Sequence, residues 1–349
     1  MSAGLTKRDK QQGRQQAWHL LTKIDPNLGI DGNYLTEWDI VQVPIELNFG
    51  GLTFPSGVTK AVTSTGWKML VGSDDFLPIG KPFANSYTPV TNRQFLDMIK
   101  EAISGVKGAV VESVGSVCDR SKIFVSISIK GADKYTIGNR QFMDYLNFGT
   151  SHDQSTTVWA NSSNICTVCF NTFMMNFEGN QAVKVKVRHS KDVIAKLENI
   201  TEVIDAYIGT QAKFKAEFQR LMNEPMKVDE ARNFYAGFVV RNVNDEDGQA
   251  VRELGPKSMK KVDRMTELFV SGRGNNGDDR ADCFQGGTEF FTHFSTRGQG
   301  RNVARQYYSS DFGLGNLAKR RLWNSLRNDD LVDSLMSTGE NAIKDYVTA

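Results

Sequence analysis

Apolar and small polar residues alternate along 110–114 and again along 123–129. A period of two in segments rich in Val and Ile marks a half-buried strand. The two runs, joined by a polar loop with a basic end at 115–122, predict a hairpin. A second strand–turn–strand is predicted over 145–160, with the turn at Gly149-Thr150-Ser151-His152-Asp153-Gln154-Ser155. The apolar run 165–173 follows Ser162, Ser163 and Asn164, which are good helix N-cap types, so a helix is predicted there. Upstream, 38–45 reads as a strand with Pro44 at a sheet edge, and 57–71 as a further strand or hairpin. Phe95, Leu96, Ile99 and Ile103 share one helical face, and Thr91 or Asn92 stands where a cap is needed.

Downstream, 183–189 alternates strictly, with three valines on one face and Lys184, Lys186 and Arg188 on the other. Val193, Leu197, Ile200, Ile204, Tyr207, Phe214, Phe218 and Leu221 then predict a long amphipathic helix, broken or kinked around Gly209 and ended by Pro225. Shorter helices are expected at 228–240 and 257–270, and an exposed Gly/Asn/Asp-rich loop at 271–287. Residues 1–17 read as a polar, Gln-rich mobile arm or frayed helix. The fold class expected is α+β. An antiparallel sheet of hairpins is flanked by helices in a helix–strands–helix core, and a mainly helical C-terminal region follows. The organisation expected is 1–80 as an N-terminal arm and strands, 81–191 as the central core, and 192–349 as a helical, basic region.

Composition narrows the class. The chain has 349 residues, 40% hydrophobic and 23% charged, which suits a protein with a packed core. Its formal net charge is +2, so a nucleic-acid partner has to be held by a local patch. No apolar run reaches the length of a membrane span, and the N-terminus has no signal-peptide pattern. With four cysteines and no secretion signal, a reducing compartment is expected, the cytoplasm of a bacterial host.

Candidate chemistry is sparse. Cys166-x-x-Cys169 has no second pair to complete a structural zinc site. Ser151, His152 and Asp153 are adjacent in a turn, where a catalytic triad needs groups brought together from separate places. No phosphate loop, dinucleotide fingerprint, zinc-protease helix or calcium loop is present, so no cofactor and no enzyme activity is expected. The basic strand is more informative. Alternate side chains repeat at about 6.7 Å, close to the phosphate spacing of an extended single strand, roughly 6–7 Å. Lys184, Lys186 and Arg188 therefore match three successive phosphates. Arg120, Lys122, Arg140, Arg320 and Arg321 add charge, and 288–327 interleaves arginines with aromatic residues.

Several motifs carry a resemblance. Tyr87-x-Pro89-Val90-x-Asn92, the VESVGS hairpin, NFGTSHDQS at 147–155, ICTVCFNTF at 165–173 and VRHSK at 187–191 resemble a family of phage- and plasmid-encoded proteins. That family is known mainly as a domain of unknown function. The similarity spans about 85–345. By its predicted helix–strands–helix order the chain also resembles the single-strand annealing recombination proteins, the Red-beta, RecT and Erf group. That resemblance implies binding of single-stranded DNA along a basic groove, a homo-oligomer, and strand pairing without ATP. The expected function is accordingly single-stranded DNA binding and annealing in a phage or plasmid life cycle. Two alternatives stand beside it. One is an interaction protein that modulates a host factor through the helix 193–221. The other is a metal-dependent hydrolase using His152, Asp153, His189 and Cys166.

Overall fold

The computed structural model describes residues 8, 11–13, 37–166 (except 54, 58, 85, 105, 130, 132–133 and 139), 172–175, 186–187, 200–244, 250–295 and 313–348. It is an α+β protein of antiparallel sheets, with a helical C-terminal region. In chain order the strands begin with β1 (Gln11–Gly13), β2 (Ile40–Thr53), β3 (Thr59–Gly72) and β4 (Pro78–Ala84). Helix α1 (Asn92–Ser104) follows. Then come β5 (Ala109–Val117), β6 (Lys122–Ile129), β7 (Lys134–Ile137), β8 (Arg140–Ser151), β9 (Val158–Cys166), β10 (Thr172–Met175) and β11 (Lys186–Val187). The C-terminal half holds α2 (Ile200–Met222), α3 (Val228–Val239), the hairpin β12 (Arg241–Asn244) and β13 (Ala250–Glu253), α4 (Pro256–Ser271) and α5 (Arg280–Glu289). A π-helical turn Phe290–Phe294, α6 (Leu314–Leu326) and α7 (Asp329–Thr348) complete it.

The main sheet has the order β1-β5-β6-β8-β9-β10, with β7 on β8 and β11 on β9. A second sheet, β2-β3-β4, is a meander, and β2 is its edge. Pro44 lies in β2 opposite Lys68, so the missing N–H falls in an edge strand, where it is tolerated.

Helix α1 is fixed at its start by three side chains. Thr91 Oγ1 accepts the Gln94 N–H at 3.1 Å, and Gln94 Oε1 accepts the Thr91 N–H at 3.0 Å, a reciprocal capping box. Asp39 accepts the N–H of Asn92 at 2.7 Å and of Arg93 at 3.3 Å. The first-turn donors, which have no partner inside a helix, are thus satisfied. Phe95, Leu96 and Ile99 pack onto Val114, Val125, Ile127, Leu146 and Phe148 of the main sheet, and onto Trp38, Leu70 and Phe83.

A second core lies among the C-terminal helices. Phe142 of β8 joins the sheet to it, with its ring 5.0 Å from Phe218 of α2. Trp323 of α6 lies 5.1 Å from Phe214 and 4.9 Å from Phe284. Helices α3 and α7 meet backbone to backbone. A Cβ on Gly237 would come within 2.0 Å of the Leu335 carbonyl oxygen, and one on Gly339 within 1.8 Å of that of Asn233.

Four expectations are corrected. The helix expected over 165–173 is strand at both described ends: β9 continues to Cys166 and β10 starts at Thr172, while 167–171 lie outside the described residues. Ser162, Ser163 and Asn164 sit mid-strand opposite Leu146, Tyr145 and Asp144, because the long edge of β8 supplies a ladder that outweighs capping preference. Helix α2 runs unbroken through Gly209, since its packed face at Phe214, Phe218 and Leu221 outweighs one glycine. The loop expected over 271–287 ends early, because Asp279 caps α5, whose residues 281–289 are buried. In the arm expected over 1–17, β1 pairs with β5. Of the expected strand 183–189, β11 covers 186–187; the rest, like 193–199 of the long helix, lies outside the described residues.

Candidate nucleic-acid interface

Strand alternation gives the main sheet two unlike faces. One is apolar, with Val114, Ile123, Val125, Ile127, Leu146 and Phe148 under the helices. The other is polar, and cross-strand register arranges it in rows. Ser113, Ser126, Asn147 and Asn161 stand side by side across β5, β6, β8 and β9. Ser126 Oγ donates to Asn147 Oδ1 at 2.6 Å. Ser113 Oγ is buried and has no hydrogen-bond partner among the described residues. A neighbouring row reads Gly115, Phe124, Gly149, Trp159 and Lys186. The Trp159 ring lies directly over Gly149, where an added Cβ would come within 2.1 Å of it. Lys122 stands at the next position, opposite Val117 and Ser151.

The basic residues expected to hold phosphate fall into different settings. Lys122 and Lys186 belong to strands at one end of this face. Lys184 and Arg188 lie outside the described residues. Arg120 is turned to internal partners. It forms a two-pronged pair with Asp74 at 2.7 and 3.0 Å, donates to the Arg8 carbonyl at 3.0 Å, and stacks 4.5 Å above the Trp38 ring. Asp74 is held below the ordinary carboxylate range, chiefly by its hydrogen bonds from Arg120. Cys118, Asp119 and Arg120 all have positive φ, between 59° and 62°. Left-handed backbone costs non-glycine residues about 1–2 kcal/mol each, and the Arg120 contacts hold the turn in that shape.

Arg140 is 2% exposed and pairs with the fully buried Asp282 of α5. It also donates to the Gly274 carbonyl at 3.2 Å and so bolts the sheet to the helical half. Arg321 donates to the Phe238 carbonyl at 2.9 Å and stacks over that ring at 4.4 Å, while Arg320 lines an open depression between α6 and α7. Sequence reading assigned these six arginines and lysines among the described residues to one nucleic-acid-binding set. The structure brings Lys122 and Lys186 to one sheet face, and gives Arg120 and Arg140 internal carboxylates instead.

The turn motif is also internal. His152 is 1% exposed, bonds to Asn92 at 2.9 Å, and meets Trp38 edge-on at 6.2 Å. Tyr87 donates its hydroxyl to the Ser151 carbonyl at 3.1 Å, and burial, then the nearby Asp153 charge, pushes its pKa up. Asp153 accepts the Ser155 N–H at 2.9 Å and closes the turn. The Tyr87–Asn92 motif and the Ser151–Asp153 motif are therefore two halves of one packing unit. Cys166 lies in β9, and Cys169 and His189 lie outside the described residues.

Among the described residues, one group of carboxylates is close enough for a metal: Asp278, Asp279 and Asp282. Its chemistry is already engaged. One oxygen of Asp282 faces Arg140, and the other accepts the N–H groups of Asn276, Gly277 and Asp278 at 3.0, 2.8 and 3.3 Å. Asp279 Oδ1 accepts the Asp282 N–H at 2.7 Å as the cap of α5. A cation here would displace Arg140.

Sequence reading missed Asn147 and Trp159. The alternating Ser126-Ile127-Ser128 pattern signalled a polar face, but only the register shows which residues of other strands share it. No curated protein and no solved structure matches the chain significantly. The sequence pattern of a domain of unknown function, DUF932, matches residues 82–310, which takes in the motif pair, the whole polar face and the buried Arg140–Asp282 bolt, and the chain belongs to that family.

Proposed function

We propose that this chain binds single-stranded nucleic acid along the polar face of its main sheet and pairs complementary strands without ATP, as a phage or plasmid protein working as an oligomer. The observation that supports this reading is the row of Ser113, Ser126 and Asn147 beside the Phe124–Gly149–Trp159 row. A sheet that only closed a core would fill these positions with apolar side chains, as its other face does. A buried hydroxyl without a partner costs about 1–3 kcal/mol, and among the described residues Ser113 carries one on this face. Ser113, Ser126 and Asn147 are 1%, 1% and 3% exposed in this conformation, so the face opens before their donors and acceptors meet bases or sugars. Trp159 supplies a stacking surface, and Lys122 and Lys186 supply phosphate charge at one end.

The test is anisotropy of a labelled oligonucleotide titrated at several salt concentrations, with duplex as comparator. The reading expects salt-sensitive binding that prefers the single strand. In the Lys122→Glu/Lys186→Glu double variant, affinity falls about tenfold or more, and the log–log salt slope drops by roughly 1.4, about 0.7 for each lost phosphate contact. No binding at low salt, or equal binding by the double variant, overturns it.

A second reading has its own support. Leu314, Leu317 and Leu331 are exposed by 79%, 56% and 40%. The depression of about 380 Å³ between α6 and α7 sets Leu317, Leu331 and Leu335 beside Arg320 and Arg321. An apolar groove with a basic rim suits a protein partner carrying an acidic, amphipathic segment. Binding of such peptides with no response to oligonucleotide would favour this reading.

A further inference from the structure

The turn between β3 and β4 holds two apolar side chains out in solvent. Phe76 is 72% exposed and Leu77 51%. Neighbouring exposed apolar groups gain nothing from burial until something covers them. The Phe76 backbone is also left-handed, with φ at 53°. A bulky residue seldom adopts that conformation, and keeps it only where its surroundings impose it. Three hydrogen bonds do so here. The Phe76 N–H donates to the Gly72 carbonyl at 2.9 Å, the Gly72 N–H to the Leu77 carbonyl at 3.1 Å, and the Leu77 N–H to Asp75 Oδ1 at 3.0 Å. The ring is thus presented on a fixed turn, which lowers the ordering cost of docking it.

The charges beside this knob are layered. The Asp74 side chain is 40% exposed over an Arg120 that is 6% exposed, and Asp75 is 26% exposed over an Arg8 at 16%. The carboxylates lie outermost, so the knob shows an apolar tip with an acidic flank. The groove between α6 and α7 is its converse. Leu317, Leu331 and Leu335 line it, and both charged residues of the lining, Arg320 and Arg321, are basic. Its volume of about 380 Å³ has room for a phenyl ring and a leucine side chain.

We propose that the 74–77 knob of one copy docks into the α6–α7 groove of a second copy. This rests on the second reading above, that the groove takes an acidic, apolar segment, and it names that segment. The chain carries both halves of the match, apolar against apolar and carboxylate against guanidinium. Phe76, Leu77, Leu317 and Leu331 are all exposed in the same structure, so a chain does not fill its own groove. Knob and groove also belong to different cores, with Leu70 and Ile79 under one and Leu335 in the other. The contact is therefore head-to-tail, and its repetition builds a ring or a filament.

The experiment follows mass by sedimentation velocity over a range of concentrations, without nucleic acid, for the full chain, Phe76→Gly and Leu317→Glu. Glycine accepts positive φ, so the first variant removes the ring and keeps the turn. Leu317 is exposed, and glutamate there opposes Asp74 and Asp75. Leu331→Glu serves the same purpose if Leu317→Glu does not fold. The expected result is a mass that rises with concentration for the full chain and stays at one chain for each variant. An equal mixture of the two variants should give a two-chain complex and nothing larger, because one intact knob and one intact groove remain between them. A full chain that stays single, a variant that associates as the full chain does, or a mixture without the two-chain complex overturns the proposal. A labelled acidic, amphipathic peptide of unrelated sequence tests the groove by itself. If it binds the full chain and not Leu317→Glu while the full chain stays single, docking of a second copy is overturned and the groove reading stands. If the peptide does not bind and the full chain stays single, both are overturned.

Discussion

His152 Nε2 lies 2.9 Å from Asn92 Oδ1, across 60 residues of chain. Asn92 Nδ2 donates to the Trp38 carbonyl at 3.0 Å, which orients the amide and leaves Oδ1 facing the imidazole. An amide oxygen only accepts, so Nε2 carries the proton and donates. The pair ties the start of α1 to the turn after β8. Asn92→Ala removes one partner from His152 and one from the Trp38 carbonyl, both in a buried site. The expected loss is about 2 kcal/mol, read as a lower urea midpoint with an unchanged slope.

The buried Arg140–Asp282 pair joins β8 to α5, and three backbone N–H groups also converge on Asp282. Removing one charge leaves the other buried and uncompensated. Asp282→Ala is expected to cost about 3–5 kcal/mol, and Arg140→Met a similar amount. The double variant should lose much less than the sum, and a double-mutant cycle in urea measures that coupling.

Burial, working against the hydrogen bond from the Asp282 N–H, pushes the Asp279 carboxyl up to about 6. A carboxylate whose folded pKa is raised is best tolerated protonated, so its burden grows as pH rises from the unfolded value near 4 through 6. Asp279→Asn keeps the cap and removes the charge. It should match the parent near pH 4 and exceed it at pH 7 by about 1 kcal/mol, after allowance for solvent screening at this half-exposed site. Thermal melts across that range check the sign.

Gly339 and Gly237 let α3 and α7 touch along their backbones. Gly339→Ala places a methyl against the Asn233 carbonyl, which cannot swing away as a side chain would. Overpacking of this kind costs about 1–3 kcal/mol. The melting temperature should fall although alanine favours a helix, whereas the same change at an exposed helical glycine would raise it.

Hydrophobic periodicity was legible along the chain, and with it the α+β class. The strands at 110–114 and 123–129, the capped helix after Tyr87-x-Pro89, and the helices near 228–240 and 257–270 follow from local spacing and cap chemistry, because those signals act within a few residues. The tertiary structure decided whatever depends on a partner far away in the chain. Ser162 to Asn164 look like a helix start until β8 offers an unpaired edge. Arg280 to Gly287 look like loop until Arg140 arrives to neutralise Asp282. Arg120 and Arg140 look like surface charge until Asp74, Asp75 and Asp282 are brought beside them. A burial or an ion pair is a property of two segments at once, and one sequence read along its length states only half of each.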